Sequence, residues 1–318
     1  MVQVGCAGIL VVDTFAGPLQ ALPREGQLVT TDSISATVGG CASNVASALA
    51  KQGLEAGVAG CAGADHSAQL LRDELLSRDV DCRQLLTTTD YPTSQTVVLT
   101  VEGQDRRFIH VFGANEAFAV DKIDRQWVAN LRLFYVGGLF GMPNFSCHEL
   151  AELLKFCRQN HVRTALDVVV PEGFADFHGL DSCLPHCDFF LPNDYEAEAL
   201  SGQPDSLDQA KYFRDRGVGT TVISLGDRGA VALRESDFWR VPAFKFSMVD
   251  GTGCGDAFAA GLIAGVLRHG DLPESLVYAS ALGGSCAQRR GAYEGVFTAE
   301  QVDVFLENHA LDLQRQTV

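Results

Sequence analysis

The sequence predicts an α/β protein built on a mostly parallel sheet, and three observations predict it. Short apolar runs alternate with amphipathic helical patterns along the 318 residues, as parallel strands joined by crossover helices do. Polar residues fall where the apolar runs stop, at the strand ends where open parallel sheets bind ligands. Two polar, strand-like segments, Leu19 to Ala36 and Thr93 to Phe112, carry no helix and stand outside the alternation. With 47% hydrophobic and 20% charged residues, the chain can bury a large core.

Taken in order, Val2 to Val12 is a continuous apolar run and reads as the first strand. Ala42 to Gln52 is a small-residue helix that Gly53 closes, Ala56 to Cys61 a strand, and Ser67 to Arg78 a helix. Thr93 to Thr100 and Arg106 to Phe112 flank Val101-Glu102-Gly103-Gln104-Asp105 and read as a hairpin. Later strands are Leu133 to Gly137, Thr164 to Val169, Asp188 to Leu191 and Thr221 to Leu225, with Gly229 to Arg234 returning beside the last. Cys147 to Asn160 and Leu207 to Arg216 are among the intervening helices.

The chemistry is concentrated in Asp250-Gly251-Thr252-Gly253-Cys254-Gly255-Asp256, which runs into the apolar stretch Ala257 to Val266. A glycine-dense turn at a helix start leaves the amides of Gly253, Cys254 and Gly255 without intrahelical partners, so they can cradle developing negative charge. Asp256 is then placed to accept the proton of an attacking hydroxyl. A turn that merely caps a buried helix has the same composition. A second segment, Gly39-Gly40-Cys41-Ala42-Ser43-Asn44, decides between them.

With both segments, in this order and separation, the chain resembles the PfkB, or ribokinase-like, family of small-molecule kinases over essentially its whole length. That family pairs Gly-Gly-x-x-x-Asn near the N-terminus with Asp-x-x-Gly-x-Gly-Asp near the C-terminus. Gly251 and Cys254 stand where Thr and Ala are common, and neither change removes a catalytic group. The resemblance implies one domain over 1–318, a three-layer α/β/α ribokinase-like fold with a central mostly parallel sheet. A small β-sheet lid would be formed by segments at about 14–37 and 91–113. A lid suits phosphoryl transfer because water competes as acceptor; a surface hairpin without a gating role is the plainer alternative.

The resemblance also implies the site. Asp256 is the base, with the Gly253, Cys254 and Gly255 amides around the transferred group. Asp13, Gly39, Gly40, Asn44 and Gly138 take the acceptor. Asn193 and Ser224, Gly226, Gly229 and Thr252 stand beside the nucleotide, and the base slot lies between this last turn and Ala279 to Ala287. Glu196, Asn193 and Asp167 are assigned to Mg²⁺, which neutralises the phosphates of ATP. Asp250 and Thr252, with the backbone around Arg289 and Gly291, resemble the loops that in some members hold a monovalent cation such as K⁺. Family sugar kinases often follow the Asp167 position with Asn and Arg; here Val168, Val169 and Val170 follow, a departure that counts against a substrate role for that loop. Outside the family pattern, Asp13 would be an ordinary turn residue, Asn193 and Glu196 a helix capping box, and Ser224 to Gly229 a plain strand connection. A helix N-terminus is expected to lower the pKa of Asp256.

Other classes are set aside on composition. A net charge of −16, with 24 Lys and Arg in no long run, argues against nucleic acid and anionic membrane. No apolar stretch spans a bilayer and no basic n-region opens the chain, so a soluble, cytoplasmic protein is expected. The ten cysteines sit mostly in apolar segments and read as buried thiols of a reducing compartment. His178, Cys183, His186 and Cys187 have zinc-ligand chemistry but no second ligand pair. Gly57-Val58-Ala59-Gly60-Cys61-Ala62-Gly63 has the wrong spacing for a dinucleotide fingerprint.

The expected activity is ATP-dependent phosphorylation of a hydroxyl of a sugar or sugar derivative. Two alternatives stay open: a nucleoside kinase, for which Phe15, Phe108, Phe112 and Phe118 supply aromatic surface, and a non-catalytic sugar- or nucleotide-binding regulator. Retention of Asp256, Asn193 and Glu196 argues against the last. A homodimer through the lid is a further implication of the resemblance.

Overall fold

The computed structural model describes residues 2–104, 106–170, 177 and 179–318. Asp105, the last residue of the expected hairpin turn, and His178, of the His/Cys cluster, lie outside the described residues.

In chain order the strands are β1 (Val4–Gly8), β2 (Val11–Leu19), β3 (Ile34–Gly39), β4 (Ala56–Gly63), β5 (Asp81–Thr88), β6 (Gln95–Val101) and β7 (Arg107–Val111). They continue with β8 (Leu133–Gly137), β9 (Arg163–Leu166), β10 (Phe189–Phe190), β11 (Thr220–Ser224), β12 (Ala230–Arg234), β13 (Asp237–Val241) and β14 (Gln314–Thr317). The helices are α1 (Cys41–Lys51), α2 (His66–Ser77), α3 (Arg125–Ala129), α4 (Cys147–Gln159) and α5 (Leu180–Cys183). After them come α6 (Asp194–Ser201), α7 (Ser206–Arg214), α8 (Cys254–Arg268), α9 (Leu272–Cys286) and α10 (Ala299–Asn308).

Ten strands form one sheet in the order β14-β13-β12-β11-β10-β9-β8-β1-β4-β5. From β11 to β5 the neighbours are parallel, and β12, β13 and β14 extend the sheet antiparallel at one edge. Side chains alternate across a strand, so Leu133 and Tyr135 enter one apolar layer and Phe134 and Val136 the other. The first layer is completed by α1, α2, α8, α9 and α10, the second by α3 to α7. This is the expected three-layer α/β/α arrangement. Among the described residues no helix is long and apolar enough to cross a membrane.

The other four strands form a separate sheet in the order β3-β2-β6-β7. The apolar run at the N-terminus therefore does not make one strand. It is cut after Gly8, and β1 stays in the large sheet while β2 starts the small one. The cut is held by Asn115, which is fully buried: its Oδ1 accepts from the Leu10 amide at 3.2 Å and its Nδ2 donates to the Leu10 carbonyl at 3.1 Å. A side chain thus replaces the ladder partners that the Leu10 backbone lacks between the sheets. Asn115→Ala leaves both groups buried and unpaired, and we expect a loss of about 3 kcal/mol of stability. Urea denaturation with an unchanged m-value measures it; a loss under about 0.5 kcal/mol would mean that water substitutes for the amide.

Candidate active site

Two turns converge at the seam between the sheets. Gly40 is the N-cap of α1 with φ at 92°. A Cβ on Gly39 would land on the Asp13 carboxylate, and one on Gly40 would land on the Ile9 carbonyl. The glycine pair is therefore required by close approach of the chain itself. Gly253 is the N-cap of α8, also left-handed at φ 74°, and Ala292 fills the space a side chain would need. Gly255 is exposed and a Cβ there would meet nothing. The open space lies over the α8 N-terminus, whose first-turn amides are the donors an anion would meet; the Cys254 amide also donates to the Gly251 carbonyl at 3.4 Å.

Asp256 lies in the first turn of α8 and its Oδ2 accepts from Asn44 Nδ2 at 2.8 Å. The Cys41 thiol donates to the same carboxylate. Burial raises the Asp256 pKa, and the Asn44 and Cys41 hydrogen bonds only partly offset it. The expected lowering by the helix N-terminus is thus overturned: desolvation outweighs the dipole. For a base this direction is useful, because proton affinity moves toward neutral pH. Asn44 reaches the site through Asp256, and its own Oδ1 is buried without a protein partner.

Asp13 sits on β2, opposite Thr37 and Thr96, rather than at the end of a large-sheet strand. Burial raises its pKa, the Thr96 hydroxyl opposes, and the charge of Asp256 adds to the rise. The two carboxylates therefore lie close enough to interact, Asp13 from the small sheet and Asp256 from the first turn of α8. Gly138 follows β8 and is packed against the Ile9 side chain.

On the other side of Asp256, a cavity of about 170 Å³ is lined by Cys41, Asp167, Asn193, Glu196, Gly255 and Asp256, among others. Asn193 caps α6 and forms a reciprocal capping box with Glu196, at 2.9 Å in both directions. Capping and site thus use the same two residues. Burial pushes the Glu196 carboxyl up to about 7; amides of Asn193 and Val170 oppose this, and the charge of Asp256 reinforces it. Asp167 follows β9, and Tyr135 Oη donates to its Oδ2 at 3.0 Å while the Val168 amide donates to its Oδ1 at 2.9 Å. Burial and the charges of Glu196 and Asp256 raise the Asp167 pKa well above its ordinary value. Ligand atoms of Cys41, Asp167 and Asp256 lie within 4.8 Å of one another. The Cys41 thiol, held protonated by burial and these carboxylates, is a poor ligand for a hard cation. The buried Glu196 and the half-buried Asp167, whose proton affinities are raised by burial and by neighbouring carboxylate charge, fit an oxygen-seeking divalent cation such as Mg²⁺.

A second cavity, of about 330 Å³, shares Ser224 and Gly255 with the first and extends past Gly226, Gly229, Gly283 and Ala287. The turn after β11 and the C-terminal half of α9 are thereby brought together. Phe244, Phe246 and Phe258 add apolar walls. Among the described residues, Cys183 and Cys187 donate to the backbone carbonyls of Cys147 and Cys183, at 3.1 and 3.3 Å, as buried thiols do.

Three residues at the site escaped sequence reasoning. Cys41 stands inside a motif whose spacing says nothing of its side chain. Tyr135 is one apolar-looking residue in a buried strand. Arg106 reaches Asp250 across 144 positions, a contact with no local signal.

Comparison with known proteins agrees with this geometry. Residues 4–299 match the family described as pfkB family carbohydrate kinase. The chain is 29% identical over 292 residues to the aminoimidazole riboside kinase of Salmonella typhimurium, covering 86% of this chain and 89% of that one. It is 30% identical over 272 residues to an ATP-dependent ribose-1-phosphate kinase of Halopiger xanaduensis, covering 84% and 86%. A putative ribokinase II from E. coli, solved with ATP and Mg²⁺, superposes with a TM-score of 0.82 at 21% identity, covering 97% of this chain and all of the other. A match over nearly the whole chain, with both signature turns meeting at one carboxylate, leaves one conclusion: the chain belongs to the pfkB family of carbohydrate kinases.

Proposed function

We propose that this kinase transfers the γ-phosphoryl group of ATP to a hydroxyl of a sugar or sugar-like acceptor, with Asp256 as the base. The observation that carries the reading is the position of Asp256, between Asp13 on the small sheet and the cavity bounded by Asp167, Asn193 and Glu196. An acceptor hydroxyl bound by Asp13 would meet Asp256 on one side and the α8 amides on the other. Asp256 accepts its proton, held in orientation by Asn44 and Cys41. The amides of Gly253, Cys254 and Gly255 stabilise the charge on the transferred group. Asp167, Asn193 and Glu196 would hold Mg²⁺, whose chemistry is to neutralise phosphate charge. Ser224, Gly226, Gly229 and the α9 side form the nucleotide pocket. The small sheet acts as a lid that excludes water.

A second reading, a riboside acceptor, is favoured by a further cavity of about 430 Å³ lined by Phe15, Thr100, Arg106, Met248 and Arg290, among others. Phe15 lies two residues beyond Asp13, so this space continues the acceptor site and offers an apolar wall to a base. The exposed apolar side chains of the small sheet, Ile34, Phe108 and Ile109, support a homodimer through the lid. Free thiols throughout the chain fit a cytoplasmic protein.

The test is ADP release from Mg-ATP across a panel of sugars, sugar acids, sugar phosphates and ribosides, beside Asp256→Asn. Acceptor-dependent turnover that vanishes in the variant supports the reading. ATP binding without turnover on any acceptor would favour the non-catalytic binder instead.

A further inference from the structure

Asp250 opens the turn that ends in Asp256, and its carboxylate accepts from four protein donors. Its Oδ1 accepts from the Thr252 amide at 3.0 Å, the Thr252 hydroxyl at 2.8 Å and Arg106 Nη1 at 2.7 Å. Its Oδ2 accepts from the Gly291 amide at 2.9 Å. Arg106 Nη1 also donates to Thr252 Oγ1. Burial pushes the Asp250 carboxyl up, but these donors outweigh it and hold the group ionised below its ordinary range. The ion pair is sheltered, with the Asp250 side chain 9% and that of Arg106 33% exposed.

Arg106 does not belong to this turn. It immediately precedes β7 in the small sheet, so the bond joins the sheet that bears Asp13 to the loop that positions Asp256. The side-chain oxygens of Asp250 and Thr252 are engaged, and a guanidinium stands at the carboxylate. A monovalent cation would have to displace fixed donors and face a like charge, so these residues do not fit one.

We propose that Arg106 is a positioning residue whose guanidinium supplies, from the small sheet, the fixed positive charge that sets the turn Asp250 to Gly255. The α8 amides and Asp256 are then brought to their working geometry when the small sheet is seated, and no monovalent cation is needed. Arginine suits the task because its guanidinium stays charged and holds Nη1 in a fixed plane, where its two N–H donors serve the carboxylate and the hydroxyl together. A displaced turn moves the base and the amides together, and small displacements there cost rate more than binding. The inference rests on the reading of Asp256 as base.

The test compares wild type, Arg106→Ala and Arg106→Lys with the acceptor found in the panel, in K⁺, Na⁺ and tetramethylammonium salts. Wild type should hold its kcat within about twofold across the three, and its melting temperature should not respond specifically to K⁺. Arg106→Ala should lose roughly tenfold or more in kcat with a smaller change in KM for ATP. Added guanidinium ion should restore part of that loss in Arg106→Ala and none in wild type, and Arg106→Lys should fall between. Activation of wild type by K⁺ over tetramethylammonium would overturn the proposal, as would an Arg106→Ala enzyme with wild-type kcat. So would a loss that guanidinium does not touch and that follows melting temperature alone. These results leave the kinase reading standing, because that reading fails only if wild type is silent or Asp256→Asn is active.

Discussion

Replacing Asp256 by Asn should lower kcat about a thousandfold, within the range general-base catalysis contributes, with KM for ATP changed little. The substitution is close to a pure removal of charge and basicity. An Asn Oδ1 can accept the Asn44 amide proton that Asp256 Oδ2 accepts at 2.8 Å, and the side-chain volume is almost unchanged. Stability should not fall, because burial raises the pKa of Asp256 in the fold. A group raised in this way is destabilising when ionised, and Asn removes the ionisation. The expected result is thus a dead enzyme with an equal or higher melting temperature at pH 8. Single-turnover phosphoryl transfer and thermal unfolding, measured on the same preparation, check it. If the variant turns over within about tenfold of wild type, another group takes the proton and Asp256 is structural.

Most of the large sheet could be read from the chain, because parallel strands buried on both faces leave short unbroken apolar runs such as Leu133 to Gly137. The signature turns were legible for a different reason: glycine and aspartate at fixed spacing before an apolar helix express a local backbone need. What could not be read depended on distant partners. The break between β1 and β2 is invisible in Val2 to Val12, since Asn115, more than a hundred residues away, makes it. For that reason Asp13 was expected at the end of a large-sheet strand, and it lies instead on the small sheet. The sign of the Asp256 shift was misjudged on the same grounds: a helix N-terminus is local and visible, whereas the burial that raises the pKa against the Asn44 and Cys41 hydrogen bonds exists only in the fold. That Gly40 must also make room for the Ile9 carbonyl was likewise not legible in the chain. Asn193 and Glu196, by contrast, form the cap that their spacing allows and also line the cavity beside Asp256.

That double use makes Glu196→Gln the second variant with a large expected effect, and one that separates function from stability. Glu196 is 8% exposed, and burial followed by the charge of Asp256 lifts it from an ordinary 4.5 to about 7. At about 1.4 kcal/mol for each tenfold in proton affinity, ionising it in the fold costs about 3 kcal/mol. The sign follows: below pH 4.5 the carboxyl is neutral in both folded and unfolded chains and costs nothing. Between 4.5 and about 7 the penalty grows, and above that it is fully present. Gln keeps the capping box, since its Oε1 can accept the Asn193 amide proton now held by Glu196 Oε2 at 2.9 Å. Free of divalent cation, Glu196→Gln should therefore be the more stable protein at pH 8, by up to about 3 kcal/mol, with the gap closing toward pH 5. Activity should move the other way. Removing one of the two carboxylates assigned to Mg²⁺ should cost roughly a hundredfold at limiting Mg²⁺, within the range for perturbing such a site, and part should return as Mg²⁺ is raised. Glu196→Ala distinguishes the cap from the charge, because it relieves the same burial but gives up the Asn193 bond, worth about 1 kcal/mol. Chemical denaturation at pH 5 and 8, with and without Mg²⁺, measures all three proteins. A Glu196→Gln chain no more stable than wild type at pH 8 would mean that these carboxylates are solvated rather than held against one another, and the divalent site would have to be sought elsewhere.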